Sequence, residues 1–251
     1  MTLGVGGKRA PRKDLRVRSD VRHQLKRDRF AETTTETMHW AVEHRSRLIL
    51  YGGLALALIV LAISFFAIRH AQEQAAGVAL ANGFDLYQAQ IVPPNTPPLP
   101  GMTTFTTAKD RATAANKEFA KVADKYSTES GKLARYMEGV TFSEMGDNAN
   151  AEKALQQVAD HADLDLSNLA KYALASVYRQ ENRDSDAINL YQQIESHPSR
   201  SVGKSMADLE LASVYSAKQP DKAKILLQQI AKDNPNTASA ELANQKLAAL
   251  K

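Results

Sequence analysis

The sequence predicts an all-α protein made of an N-terminal cytoplasmic tail, one transmembrane helix and an α-solenoid of about four helix pairs with a C-terminal capping helix. Three observations predict this. Charge is distributed in blocks: residues 1–47 hold 12 of the 32 Lys and Arg but only 6 of the 28 Asp and Glu, residues 48–68 hold none, and residues 69–251 hold 20 basic and 22 acidic side chains. The uncharged block reads LILYGGLALALIVLAISFFAI. Beyond it, short apolar and glutamine patterns recur at a spacing of 36 residues. Composition narrows the field further. The absence of cysteine excludes a disulfide scaffold, a thiolate zinc site and a cysteine nucleophile. A 6% aromatic content argues against a base-stacking sheet or an aromatic-rich β sandwich.

The first element, residues 1–47, is a basic segment read as partly disordered. From Lys8 to Arg29 it places Val17, Val21 and Leu25 at helical spacing, too few apolar residues for an amphipathic face, and Gly4, Gly6, Gly7 and Pro11 loosen its start. Its plainest role is to set membrane orientation. Attraction to anionic lipid, worth roughly 1 kcal/mol per basic residue near the surface, is a second use. Contact with ribosomal RNA or an acidic protein is a third, although nucleic acid is not an expected partner of the chain. Residues 31–47 are expected to turn helical near Glu36. His39 and Glu43 stand four apart there, which does not make a metal site.

The second element, residues 48–68, is about 31 Å long as a helix and matches the hydrocarbon core of a bilayer. A cleaved signal peptide is the rival reading, but its apolar core is usually shorter and its basic region is not 47 residues long. Arg45, Arg47 and the segment behind them place the N-terminus in the cytoplasm and residues 69–251 across the membrane.

The third element is repetitive. Leu155-Gln156-Gln157-Val158, Tyr191-Gln192-Gln193-Ile194 and Leu227-Gln228-Gln229-Ile230 lie 36 residues apart, and Ala115, Ala151, Ala187 and Ala223 keep the same step. Pairs of antiparallel helices explain the pattern. A small residue (Gly139, Ala175, Ala212) lets the first helix approach the second, an aromatic three positions on (Phe142, Tyr178, Tyr215) fills the gap, and a small residue on the second helix (Ala151, Ala187, Ala223) receives the ring. Turn residues separate the helices at Gly146-Asp147-Asn148, Asn182-Arg183-Asp184 and Gln219-Pro220-Asp221. Pro198 and Pro235 follow the second helices. The repeats span about 129–163, 167–199 and 203–236, preceded by a second helix at about 107–126 and followed by a cap at 237–251, apolar at Ala240, Leu242, Ala243, Leu247 and Leu250.

Small residue, aromatic at +3, Ala at +12 and a terminal proline resemble the tetratricopeptide repeat. The repeat with Ala212 has one residue fewer in its turn. Upstream, Leu80, Phe84, Tyr87 and Ile91 are spaced for one helix continuing from the span. A proline-rich insert at 92–106 follows, with five of the nine prolines, and its start is expected in extended polyproline conformation. The layout of basic segment, single span and irregular repeats resembles the YfgM family. That resemblance implies a bacterial inner-membrane protein with a periplasmic repeat domain, ancillary to the Sec translocon. The partners it implies are translocon subunits, periplasmic chaperones or exported chains.

No catalytic constellation, cofactor loop or metal-ligand spacing emerges, so a non-enzyme without cofactor or metal is expected. His161 and His197 lie 36 apart at equivalent late-helix positions, and Asp160, Asp163 and Asp165 crowd one connection that reads as a solvated linker. The candidate protein-binding groove is the face of the first helices, with Leu133, Tyr136, Val140 and Ser143, then Leu169, Tyr172, Ser176 and Arg179, then Met206, Leu209, Ser213 and Ser216. Such a groove suits apolar segments and lacks the two-lysine clamp that captures C-terminal carboxylates. The alternatives are that these rows pack on neighbouring helices or the insert. Functionally, the competing expectations are an envelope-assembly or cell-division scaffold and a signalling protein acting through its basic tail.

Overall fold

The computed structural model describes residues 40, 42–96 and 101–250. The expected character of residues 1–39, and part of the polyproline segment at 97–100, lie outside the described residues. The chain divides into two compact units, residues 1–66 and 67–251.

In the first unit, helix α1 (Arg45–Tyr87) begins with the apolar block. Trp40 stacks on His44 ahead of it, with ring centroids 5.0 Å apart. Helix α1 is long and apolar enough to cross a membrane, with a mean hydropathy of 2.5 over its most apolar 18 residues, none of them buried. Lack of burial among the described residues is compatible with a lipid-facing segment.

The second unit contains the last part of α1 and eight further helices among the described residues: α2 (Ala108–Lys125), α3 (Glu129–Glu144), α4 (Asn148–His161), α5 (Leu164–Gln180), α6 (Asp184–Ser196), α7 (Lys204–Lys218), α8 (Pro220–Asp233) and α9 (Ala238–Ala249). From α2 onward each helix packs on its successor, the near-neighbour pattern of a solenoid. Helix α1 ends at Tyr87, so Ile91 does not share its face. Gln90–Ile91 (β1) instead pairs in parallel with Thr104–Phe105 (β2) across the proline-rich insert. Helix α5 starts at Leu164 rather than near 167, because the Asp163 carboxylate accepts the Leu166 amide at 2.9 Å and caps it. Leu242, expected on the packed face of α9, is exposed, while Ala240 and Ala243 are buried.

Helix ends follow their local chemistry. Thr107, Thr128, Asp147 and Thr237 also accept hydrogen bonds from first-turn amides of the helices they precede. Pro220 opens α8, where its missing N–H is not needed. Gly146 has φ +80° after α3, and the Asp147 amide returns to the Phe142 carbonyl at 2.9 Å, a closure that favours glycine. Asn182 has φ +60° after α5, and the Arg183 amide returns to the Tyr178 carbonyl at 2.8 Å in the same way.

The core is built from the periodic positions. Ala151, Ala175, Ala187, Ala212 and Ala223 are fully buried. A Cβ on Gly139 would sit 2.6 Å from Leu155 Cγ, so the α3 backbone packs there directly against the Leu155 side chain of α4. The Tyr191 ring lies in the central cluster with Leu155, Leu174, Val177, Ile194 and Leu211. A first cluster joins Ala76, Leu80, Ala115, Phe119, Val122, Ala134 and Met137, and a last one joins Leu209, Ala212, Leu227, Ile230 and Ala243. The end of α1 is also tied by polar contacts: Glu73 accepts from the Ser130 hydroxyl at 2.5 Å and the Ser130 amide at 3.2 Å. The hydroxyl contact is the main cause that holds the Glu73 carboxyl below its usual range.

Candidate interaction surface

The first helices α3, α5 and α7 supply the predicted row. Leu133, Tyr136, Val140, Leu169 and Tyr172 are half-buried, whereas Met206 is exposed. Leu209 is a correction. It is 7% exposed and packs with Leu227, Ile230 and Ala243, because α8 and α9 fold over it. Tyr136 touches three apolar clusters, and burial raises its phenol pKa. Its ring is therefore as much a packing element as a surface one.

Tyr172 and Arg179, one face of α5, converge on Glu210 of α7. The Tyr172 hydroxyl donates to Glu210 Oε1 at 3.2 Å, and Arg179 Nη1 pairs with Glu210 Oε2 at 2.7 Å. Tyr172 also meets Tyr191 edge to face, with centroids 5.8 Å apart. Burial, then the Glu210 carboxylate, pushes the Tyr172 phenol up, and burial pushes Tyr191 to about 12. Glu210 was missed in the sequence, although it directly follows the predicted Leu209. A similar tyrosine–carboxylate contact occurs two helix pairs earlier, where the Tyr87 hydroxyl of α1 donates to Glu144 of α3 and Arg111 lies 5.5 Å over the Tyr87 ring. The row thus presents Leu133, Val140, Leu169 and Met206 between charges that already have partners. Ser176 is exposed beside them, Ser143 and Ser213 are half-buried, and the Ser216 hydroxyl donates back to the Ala212 carbonyl at 2.7 Å.

A second polar assembly braces the repeats at their turns. Arg183, after α5, reaches Glu152 on α4 at 2.8 Å, Asp186 at 2.9 Å and Glu181 at 3.2 Å, and its guanidinium lies 4.0 Å over the Tyr178 ring. The Tyr178 hydroxyl donates to the same Glu152 at 3.0 Å. Arg183, then Tyr178, hold the Glu152 carboxyl below its ordinary 4.5 against the opposing effect of desolvation. A depressed carboxylate stabilises the fold above its unfolded value and loses that contribution as pH falls through the folded one. Thermal melts should therefore decline between about pH 5 and pH 3. Glu152→Gln should reduce that slope while lowering the melting temperature at neutral pH, and an unchanged slope would exclude this brace as a pH-dependent element.

The acidic connection does not gather its side chains. Asp160 accepts from Gln156, Asp163 caps α5, and Asp165 accepts the Arg200 amide at 2.9 Å and pairs with the Arg200 guanidinium at 3.1 Å. His161 ends α4, lining a small pocket of about 190 Å³ with Tyr126, Arg135 and Gln157, and His197 caps α6, where its carbonyl accepts from Asn168 at 2.8 Å. Asp165 and Asn168 therefore bind one repeat to the next.

Comparison with known proteins follows the same outline. Residues 206–237, which hold most of α7 and all of α8, match the family model described as tetratricopeptide repeat. The fold is similar to a crystal structure described as that of a Podosopora anserina putative kinesin light chain with nearly identical TPR-like repeats. That similarity has 16% identity and a TM-score of 0.48, covering 72% of this chain and 84% of the other. No curated protein matches the chain. Residues 206–237 thus match a tetratricopeptide repeat, within an all-α chain whose successive helices pack on one another.

Proposed function

We propose that the chain is a membrane-anchored scaffold for protein–protein interaction, working at the protein-export machinery with residues 69–251 on the periplasmic side. The observation that carries the reading is the joining, in one sequence, of an unburied 21-residue uncharged stretch with a tetratricopeptide solenoid. The excess of basic residues in 1–47 supports a cytoplasmic N-terminus. The similarity of the layout to the YfgM family supports translocon subunits, periplasmic chaperones or exported chains as partners. The first-helix face contributes apolar side chains beside internally paired charges, a surface for uncharged apolar segments rather than for acidic or carboxylate-ended ones.

The test is site-specific photo-crosslinking from Ser176 and Met206 of the full chain in intact bacterial membranes. Both positions are exposed in the row, so a probe there leaves the core untouched. Recovery of translocon subunits, periplasmic chaperones or exported polypeptides is the expected result. Recovery of cell-wall synthases or division proteins alone would overturn the export assignment while keeping the scaffold.

A further inference from the structure

Helix α8 carries Asp221, Ile225, Gln228 and Lys232 at i, i+4, i+7 and i+11, one stripe of a helix, and all four are exposed. Ile225 is 67% exposed, unusual for so large an apolar side chain at the edge of a well-packed repeat. It borders a mostly apolar groove of about 320 Å³ that includes Leu211, Tyr215 and Leu226. Among the described residues Tyr215 has no counterpart of the Arg183 brace: the shorter turn places Gln219-Pro220 where Asn182-Arg183 stand one repeat earlier, and Lys222 lies over its ring at 5.4 Å. Among the described residues, Asp221 and Lys232 take part in no ion pair and no side-chain hydrogen bond.

The repeats supply an internal comparison. The same stripe on α6 reads Ser185, Asn189, Gln192 and Ser196, and on α4 it reads Ala149, Lys153, Gln156 and Asp160. Only α8 among these three orders acid, apolar, amide and base along one face. That order is complementary to itself when reversed. A two-fold axis between Ile225 and Gln228 brings Asp221 opposite the partner's Lys232 twice, and each Ile225 opposite the partner's Gln228.

We propose that α8 is a contact between two copies of this chain, packed antiparallel through Asp221, Ile225, Gln228 and Lys232, the reciprocal Asp221–Lys232 pairs setting the register. Fourteen residues make a helix about 21 Å long. One such helix pair falls at the small end of specific interfaces, so the association is weak and concentration-dependent. The end charges select the antiparallel arrangement, since a parallel pair would oppose like charges at both ends.

The absence of native cysteine makes the test direct. The full chain carrying Gln228→Cys is reconstituted in phosphatidylcholine vesicles and treated with a short bismaleimide. Asn189→Cys, at an exposed site on α6, serves as the comparison. Gln228→Cys should give a covalent homodimer well above Asn189→Cys. Adding Asp221→Lys or Lys232→Asp alone should lower the yield about three- to ten-fold, and combining the two should restore it. Residues 221 and 232 lie about 16 Å apart along one helix, so they do not pair within a copy. The exchange also opposes the helix dipole at both ends, so a gain in α8 stability does not explain rescue. Equal yields at both cysteine sites, loss without rescue, or charge-insensitive yields would overturn the proposal. In native membranes, cross-linking of Gln228→Cys only to a different polypeptide would overturn it as well.

Discussion

Phe119→Ala should lower the stability of the solenoid by about 3–5 kcal/mol, the largest effect expected of any single truncation near its start. Phe119 is fully buried on α2 and is the side chain against which the end of α1 closes. A Cβ on Gly83 would fall 2.5 Å from its ring, so helix backbone and aromatic edge are in direct contact. Phe84 and Tyr87 meet the same ring edge to face at 5.3 and 6.4 Å. Removing the ring leaves a cavity bounded by backbone on one side, where a neighbouring side chain has least freedom to refill it. Chemical denaturation followed by circular dichroism would measure the loss. Limited proteolysis should then show new cleavage near residues 88–96, and a loss below about 1 kcal/mol would show that α1 does not depend on this ring.

Gly131→Ala should be comparably damaging, about 3 kcal/mol or more, through the opposite fault. The turn from α2 to α3 folds so tightly that a Cβ at residue 131 would lie 1.7 Å from the Tyr126 carbonyl oxygen. A flexible side chain swings aside at little cost, but this obstacle is backbone. Relief requires opening the turn, which moves the Thr128 cap and the Ser130 groups that hold Glu73. The expected readout is a lower melting temperature together with weaker amide protection at Gly131–Lys132. Near-native stability would mean that the turn opens freely.

The contrast between these positions explains what the sequence makes legible. The alanines of the repeat frame and Gly139 announce themselves because they recur at one spacing, and the frame places eight of the helices without reference to distant contacts. Gly131 has no counterpart in that frame, since its role comes from the path of one turn. Arg183 was visible as a turn residue, but not as the brace on Glu152 31 positions away, because that reach depends on how far one helix pair is offset from the next. Glu210 was hidden for the same reason. Leu209 was misplaced by giving it the same open position as Tyr136 and Tyr172 in the earlier repeats, whereas α8 and α9 close over it with Leu227, Ile230 and Ala243. The β1–β2 pair spans the proline-rich insert with two residues on each side, too short for any periodic signal. The first-helix row was legible only as a repeat register, and how each of its side chains is shared between surface and core was set by packing.

The unequal bracing of the turns also sets an order of local opening. The second helix pair is locked by Arg183, Glu152 and Tyr178, and its connection to the third by Asp165, Asn168 and Ser201. Helices α8 and α9 have fewer anchors, burying chiefly Ala223, Leu227 and Ile230 on one and Ala240 and Ala243 on the other. In a linear array each unit is held only by its neighbours, so fluctuations begin where those ties are fewest. Amide hydrogen exchange should accordingly run fastest in α9, then α8, with α4 to α6 slowest. A protein of this kind does not release its structure all at once; it yields from the C-terminal helices inward, leaving the middle repeats as the last cooperative unit.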